Sequence, residues 1–517
     1  MHQWILSALV LWPLLAALVV RLLGRDVSRE ELTSEAPADG IDARWLTLIA
    51  LAVEAALGVA AWLLFDPAAT GWQLRVDAPW LVDLGARFSL GVDGLSLPML
   101  SMTCLLLPVA FWGSWNNVRV RTPAFGGLVL LLTAGIVGVL VSLDLLLFYV
   151  AWELMLIPTF LLIGIWGTGQ AVRASVRYVL FTVVGSLLML VAIIALWNAG
   201  GGASFHLDHL REIRLSEQAQ LLMFGAFFLA FAVKSAFVPF HTWLPDAQCS
   251  APTFVAVTLG LKVGVYALLR FAVPLFPTAV LHPAVRGTVV VLAVIAIVHG
   301  ALVAMSQRDA KRLVTYSSIS HLGFIMLGVF ALSPLSAQGA VMIMINHGIT
   351  TSALFLLLGM LQDRQGTTAL EAFGGLARVM PLFSVMLSLA ILSAVALPAS
   401  NGFVGEFLVL LGSYEAFPIL TVIASTGAVF AAIYGLRLLQ GVLFGARREP
   451  ALVPLNDLNR RELLVMGVFA VGIVWMGVAP GAVLRRIEPA SRGAVEAARF
   501  GLNSPIARVP RSMSPTP

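Results

Sequence analysis

Six ionisable residues stand where a membrane-spanning chain has least reason to keep them. Glu153, Lys234, Lys262, His321, His347 and Glu406 each fall inside a long apolar run. A charge at the centre of a lipid-embedded helix costs at least ~2.5–3.5 kcal/mol, so each needs a partner or a task. Carboxyl, ammonium and imidazole groups together form a set that can hand protons along. The lysines sharpen this reading. The chain has 29 arginines and three lysines, and Lys234 and Lys262 are the basic residues deepest in predicted spans. Arginine stays protonated, whereas a desolvated lysine can let its proton go. A structural ion pair would accept arginine equally well, so these positions point to a releasable proton. Glu153 supplies a carboxylate for Lys234, a pair whose making and breaking switches the glutamate between ionised and protonated forms. His321 and His347 read as intermediate stations, and His241, beside a proline break, as a relay or a cap. Glu54, His299 and Glu415 are less central, and Glu54 is expected to be paired or set against a neighbouring chain.

Groups of this kind must be held at lipid depth by helices. Of 517 residues 59% are hydrophobic and 11% charged, with mean hydropathy +0.94, which excludes a soluble domain and a disordered chain. Only helices and closed barrels satisfy the backbone in hydrocarbon, and continuous runs of 18 to 25 apolar residues select helices. The reading is therefore an all-α polytopic membrane protein of about fourteen transmembrane helices. The spans fall at 4–23, 45–65, 88–112, 123–141, 145–166, 176–197, 218–240, 253–273, 283–305, 313–332, 337–361, 381–411, 419–444 and 463–484. With charges at span ends counted with the adjoining loop, loops after odd-numbered spans hold 17 Lys/Arg against 6 after even-numbered ones; Lys234, Lys262 and Arg437 lie deeper within spans. The basic loops face the cytoplasm, so both termini lie on the outer side of a bacterial plasma membrane, although the basic tail dissents.

Two spans break. In the seventh, Lys234-Ser-Ala-Phe-Val-Pro239-Phe-His241 turns polar behind a proline. In the twelfth, Leu397-Pro398-Ala-Ser-Asn401-Gly402 interrupts an apolar stretch of about thirty residues. Breaks five spans apart run in opposite directions, the mark of two inverted five-helix repeats. The domains are then 1–112 (spans 1–3), 113–275 (first repeat), 276–445 (second repeat) and 446–517 (last span and tail). Other chemistries fall away. Cys104 and Cys249 lie too far apart to suggest an iron-sulfur or thiolate zinc site. Gly167-Thr-Gly169 follows an apolar run and lacks a third glycine, so no dinucleotide site is read. His206-Leu-Asp208-His209 reads as a solvated turn. The arginines form no basic stripe for nucleic acid.

Leu147-Phe-Tyr-Val-Ala-Trp-Glu153-Leu-Met-Leu-Ile-Pro158, Phe231-Ala-Val-Lys234 and Pro239-Phe-His241-Thr-Trp-Leu-Pro245-Asp246 closely resemble the antiporter-like membrane subunits of respiratory complex I, the NADH-quinone oxidoreductase. So do Leu313-Val-Thr-Tyr-Ser-Ser-Ile-Ser-His321, Asn346-His347-Gly and Asn401-Gly-Phe-Val-Gly-Glu406, and the similarity runs over roughly 88–480. Within the family Glu406 points to the M-type branch, since L and N relatives usually carry lysine there. The resemblance implies a proton-pumping module of an oxidoreductase complex. NADH, flavin, iron-sulfur clusters and quinone would be handled by partner subunits, with no cofactor or metal in this chain. Its implied neighbours are other complex I membrane subunits, above all the L-type and N-type chains. It implies Glu153 and Lys234 as the ion-pair switch, Lys262 as central relay, His321 and His347 as stations, and Glu406 as the terminal site. Gln248 departs from the family histidine, and Leu397-Pro398-Ala-Ser from a glycine-rich segment. The alternatives are a subunit of a multi-chain cation/proton antiporter or membrane-bound hydrogenase, and a passive membrane scaffold.

Overall fold

A computed structural model describes residues 4–26, 41–69, 71–445 and 456–500. The tail beyond residue 500 and the middle of the loop before the last span lie outside the described residues. Among these, thirteen helices are long and apolar enough to cross a membrane: Ile5–Leu23, Ala43–Leu64, Ser96–Gly113, Thr122–Val141, Leu145–Trp166, Ala171–Ala199, Glu217–Ser235, Thr253–Leu275, Pro283–Ser306, Ala310–Phe330, Pro334–Gln365, Pro418–Leu443 and Arg460–Val478. The twelfth crossing is made of two shorter helices, Pro381–Ala394 and Asn401–Tyr414. All fourteen runs read from the sequence are therefore present. Their ends follow local chemistry: Asp144, Ser216 and Asp309 accept backbone N–H groups at the starts of the fifth, seventh and tenth spans, and Asn459 with Glu462 forms a capping box on the last.

Burial sorts the spans. In the most apolar window of the eighth, tenth and eleventh, 94% of residues are buried inside the chain, against 33–39% in the first, second and fourteenth. The outer helices offer aliphatic surface suited to lipid, and the inner ones can hide ionisable groups from it. Loops also segregate by parity. After odd-numbered spans, Asn117 accepts from the Thr253 N–H, and Arg364 pairs with Glu462. On the opposite face Asp144 bridges to His206, and Arg286 donates to the carbonyls of Phe330 and Ala331.

Three features differ from the sequence reading. Residues assigned to the start of the third span form a strand: Ala86–Val92 pairs antiparallel with Gln73–Leu81, so the chain is not purely helical. The helix starts later because Asp93 Oδ1 accepts the N–H groups of Leu95 and Ser96. A last helix, Gly481–Phe500, follows the fourteenth span. It buries Val483, Ile487, Ser491, Val495 and Ala498, spaced at three and four residues, against the chain and turns Arg485, Glu488 and Arg492 outward. Breaks are also more numerous than two. The fifth span is interrupted at Met155, and the eighth between Leu259 and Val263.

Candidate functional site

The eighth-span break holds Lys262. Helix Thr253–Leu259 stops, and Lys262 caps the next piece, Val263–Ala267, with its side chain 3% exposed. His347, from the unbroken eleventh span, faces both Gly260 and the charge of Lys262. Its ring centroid lies 5.6 Å from that of His321 in the tenth span. His321 Nδ1 is 2.8 Å from Glu406 Oε1, and its Nε2 is 3.5 Å from the Tyr434 hydroxyl. Thus Lys262, His347, His321 and Glu406 form one buried succession across three inner spans and the second half of the twelfth. A close helix approach positions its last member. A Cβ on Gly405 would meet Ile343 Cγ1 at 2.6 Å and Ile343 N at 2.9 Å, so only glycine lets Asn401–Tyr414 lie this near the eleventh span. Asn401 anchors the break beside it, accepting from Ser393 Oγ at 2.5 Å, while Asn346 Nδ2 donates to Asn401 O at 2.5 Å.

The other half centres on the seventh-span break, where Ala236 takes the left-handed backbone (φ 58°). Ser235 and Phe231 abut Gly264 of the eighth span, so the breaks bearing Lys234 and Lys262 touch. Among the described residues no ion pair joins Lys234 to Glu153. Lys234 Nζ instead donates to the Tyr178 hydroxyl at 2.9 Å, lying 5.3 Å from that ring's centroid and 5.7 Å from that of Trp152. Glu153 is half-buried beside Tyr149, with Oε1 unpartnered. The pair thus stands apart, with Trp152 adjoining both. His241 is not in the succession; its ring packs against that of His299, centroids 5.7 Å apart.

Several residues escaped the sequence reading. Tyr178 and Tyr434 carry no signal of their own in the sequence, and only structure shows their hydroxyls on Lys234 and His321. Arg270 and Lys311 were counted with loop charges, yet are 4% and 3% exposed. Arg270 sits in a π-helical turn, Leu268–Ala272, and makes a two-pronged ion pair with Asp93 while donating to Tyr266 Oη. A polar residue that interrupts such a turn is the available signal. Glu54 is neither paired nor turned towards another chain: it is 1% exposed inside this one, near Cys104, with both oxygens lacking a hydrogen-bond partner among the described residues. His206 is buried rather than in a solvated turn. Its Nε2 lies 3.2 Å from Arg75 of the hairpin, and Asp208 takes a hydrogen bond from Trp72. Gln248, in place of the family histidine, is fully buried and donates to Ala256 O at 2.9 Å. No group of three metal-ligating side chains occurs among the described residues.

Known proteins share this arrangement of helices. The chain is 36% identical over 501 residues to NADH-quinone oxidoreductase subunit M of Rhodobacter capsulatus, covering 94% of this chain and 95% of that one. It superposes with a TM-score of 0.85 and 31% identity on a chain of respiratory complex I from Thermus thermophilus with bound NADH, covering 95% of this chain and 99% of the other. A chain of the Mrp complex from Dietzia shares the fold at a TM-score of 0.79 and 24% identity, covering 96% of this chain and 52% of its own length. The family described as NADH:quinone oxidoreductase/Mrp antiporter, TM, matches residues 142–431, the segment that contains every member of the buried succession. A match over more than half the chain, together with a near full-length relative, places this protein in the NADH:quinone oxidoreductase/Mrp antiporter family of membrane subunits.

Proposed function

We propose that this chain is the M-type proton-translocating membrane subunit of an NADH-quinone oxidoreductase, moving protons through a buried relay while electron transfer from NADH to quinone proceeds in partner subunits. The observation that carries this reading is the succession Lys262–His347–His321–Glu406, with ring centroids 5.6 Å apart and a 2.8 Å imidazole–carboxyl contact. Groups of three chemical types in close, buried succession, the last two in hydrogen-bond contact and all shielded from lipid, fit proton passage and have no structural need for lysine. Glu153 and Lys234 are the switch at the other end, with Tyr178 holding the lysine when the pair is open; His241 serves the seventh-span break.

Near full-length similarity to a subunit M favours this assignment over a multi-chain antiporter or membrane-bound hydrogenase. The partners are other complex I subunits, with L-type and N-type chains as direct membrane neighbours; flavin, iron-sulfur clusters and quinone belong to that assembly. Parity of the charged loops supports a bacterial plasma membrane orientation with both termini outside. The breaks at Ala236 and Ala396, both in left-handed backbone and followed within three residues by proline, support two inverted repeats over 113–275 and 276–445. The test is proton uptake by proteoliposomes holding the intact complex. Lys262→Ala and Glu406→Ala are expected to leave assembly intact and reduce protons taken up per NADH oxidised. An unchanged ratio in both would refute the relay and favour a scaffold.

A further inference from the structure

The third lysine is buried as well. In Arg308-Asp-Ala-Lys311-Arg312 the arginines point outward, while Lys311, on the first turn of the tenth span, is 3% exposed. Its Nζ donates to Gln362 Oε1 at 2.5 Å. Asp309 and Asp363 are near, yet among the described residues neither comes within ion-pair distance of it. Asp363, next to Gln362, lines with Arg364 and Glu462 a cavity of ≈ 260 Å³ on the face of the odd-numbered loops. Inward from Lys311, the same helix places Thr315, Ser318 and His321 at steps of four, three and three residues, all buried, over about 15 Å. Thr315 and Ser318 donate to carbonyls one turn back, at 2.9 and 3.1 Å, and Thr315 also meets the Cys249 thiol; a hydroxyl oxygen has two lone pairs with which to accept. A parallel branch runs through Ser317 to Tyr434, whose hydroxyl already meets His321.

We propose that Lys311 is a further proton-carrying residue, and that the hydroxyl-lined face of the tenth span conducts protons from the cavity beside Asp363 to His321. This rests on the proton-translocating reading above. The ammonium gives a proton to the hydroxyl row, each hydroxyl accepts one and releases another, and the imidazole takes the last. A proton from water in the cavity restores Lys311, and no electron moves. A charge needed only to tie the helix end to Gln362 would be served by arginine, which keeps the donors and cannot release a proton.

The experiment compares Lys311→Arg, Lys262→Ala and the unaltered chain in the intact complex in proteoliposomes. It measures chain content, NADH oxidation and proton uptake. Lys311→Arg is expected to assemble fully and to lose uptake to the level of Lys262→Ala. If Lys262→Ala loses uptake while Lys311→Arg keeps it, this proposal alone is overturned. If Lys262→Ala keeps uptake, the relay falls and this inference with it. Should Lys311→Arg not assemble, Thr315→Val decides: uptake below half the wild-type value supports the path, and wild-type uptake overturns it.

Discussion

Replacing Tyr178 by phenylalanine probes the first lysine by removing one oxygen. Lys234 Nζ donates to that hydroxyl at 2.9 Å and faces the rings of Tyr178 and Trp152 at 5.3 and 5.7 Å. Phenylalanine keeps both ring attractions, each about 0.5–2 kcal/mol. It removes a hydrogen bond from a charged donor, about 1.5–3 kcal/mol. The open arrangement, in which Lys234 makes no ion pair with Glu153, loses that amount, and the closed pair does not. At 1.4 kcal/mol per factor of ten, the balance moves roughly 10- to 100-fold towards the closed pair. A glutamate held against an ammonium cannot take up a proton, so the cycle stalls there. Tyr178→Phe is therefore expected to assemble normally and to lower proton uptake per NADH oxidised in proteoliposomes. Tyr178 is fully buried, so chain content and thermal stability must be measured alongside. Uptake at the wild-type ratio with a normally assembled chain would show that the tyrosine merely packs, and the two-position account of Lys234 would be wrong.

Arg270→Ala leaves Asp93 charged and buried without its partner, a loss of about 3–5 kcal/mol, so the amount of assembled chain should drop sharply; a double replacement Arg270→Leu with Asp93→Leu should recover much of it. Gly405→Ala forces a methyl group to within 2.9 Å of the Ile343 backbone, and overpacking of about 1–3 kcal/mol should lower the melting temperature of the purified complex and its proton uptake together. Outside the spans, burial lowers the proton affinity of His206, so the folded loop favours the neutral ring. Its contribution is then complete at pH well above the unfolded value near 6.5 and declines as pH falls through it. Hydrogen exchange over residues 204–210, corrected for intrinsic rate, should accelerate between pH 8 and 5 relative to a His206→Asn variant.

Much of the fold was legible because the membrane enforces it. Apolar runs long enough to cross hydrocarbon occur where helices form, and the prolines at 239 and 398 flag breaks that the structure contains. The hairpin was missed because Phe88–Val92 is as apolar as a span and only Asp93 ends it. The eighth-span break carries no proline; Gly260 and Lys262 alone hint at it. Residue types identified Lys262, His321, His347 and Glu406, since an ionisable group in an apolar run stands out whatever surrounds it. Pairings stayed hidden. Nothing in the spacing of Tyr178 and Lys234, 56 residues apart, foretells their hydrogen bond. Lys311 and Arg270 were misfiled for a geometric reason: both lie near span ends, where a sequence window cannot tell a solvated charge from one folded inward.

The placement of breaks and ionisable groups follows one physical rule. A continuous helix consumes its own carbonyls and N–H groups, so a charge on it finds only side chains for company. A break frees backbone polar groups at lipid depth, and each is tolerable only where buried in protein or polar surroundings. Lys234 stands two residues before the turn at Ala236, Lys262 within its break, Glu153 two before Met155, and Glu406 five after Asn401. His321 and His347 lie on unbroken helices, and an imidazole can accept a proton at one ring nitrogen while it donates from the other. The division of labour is therefore chemical. Groups that must bear charge stand at or near the breaks, and the two histidines occupy the straight helices between, His347 meeting the Gly260 backbone that the eighth-span break frees. Straightening a break should then harm the neighbouring charge without touching it: filling the turn at Ala396–Ala399 with helix formers should disable Glu406 while leaving the His321–His347 pair in place.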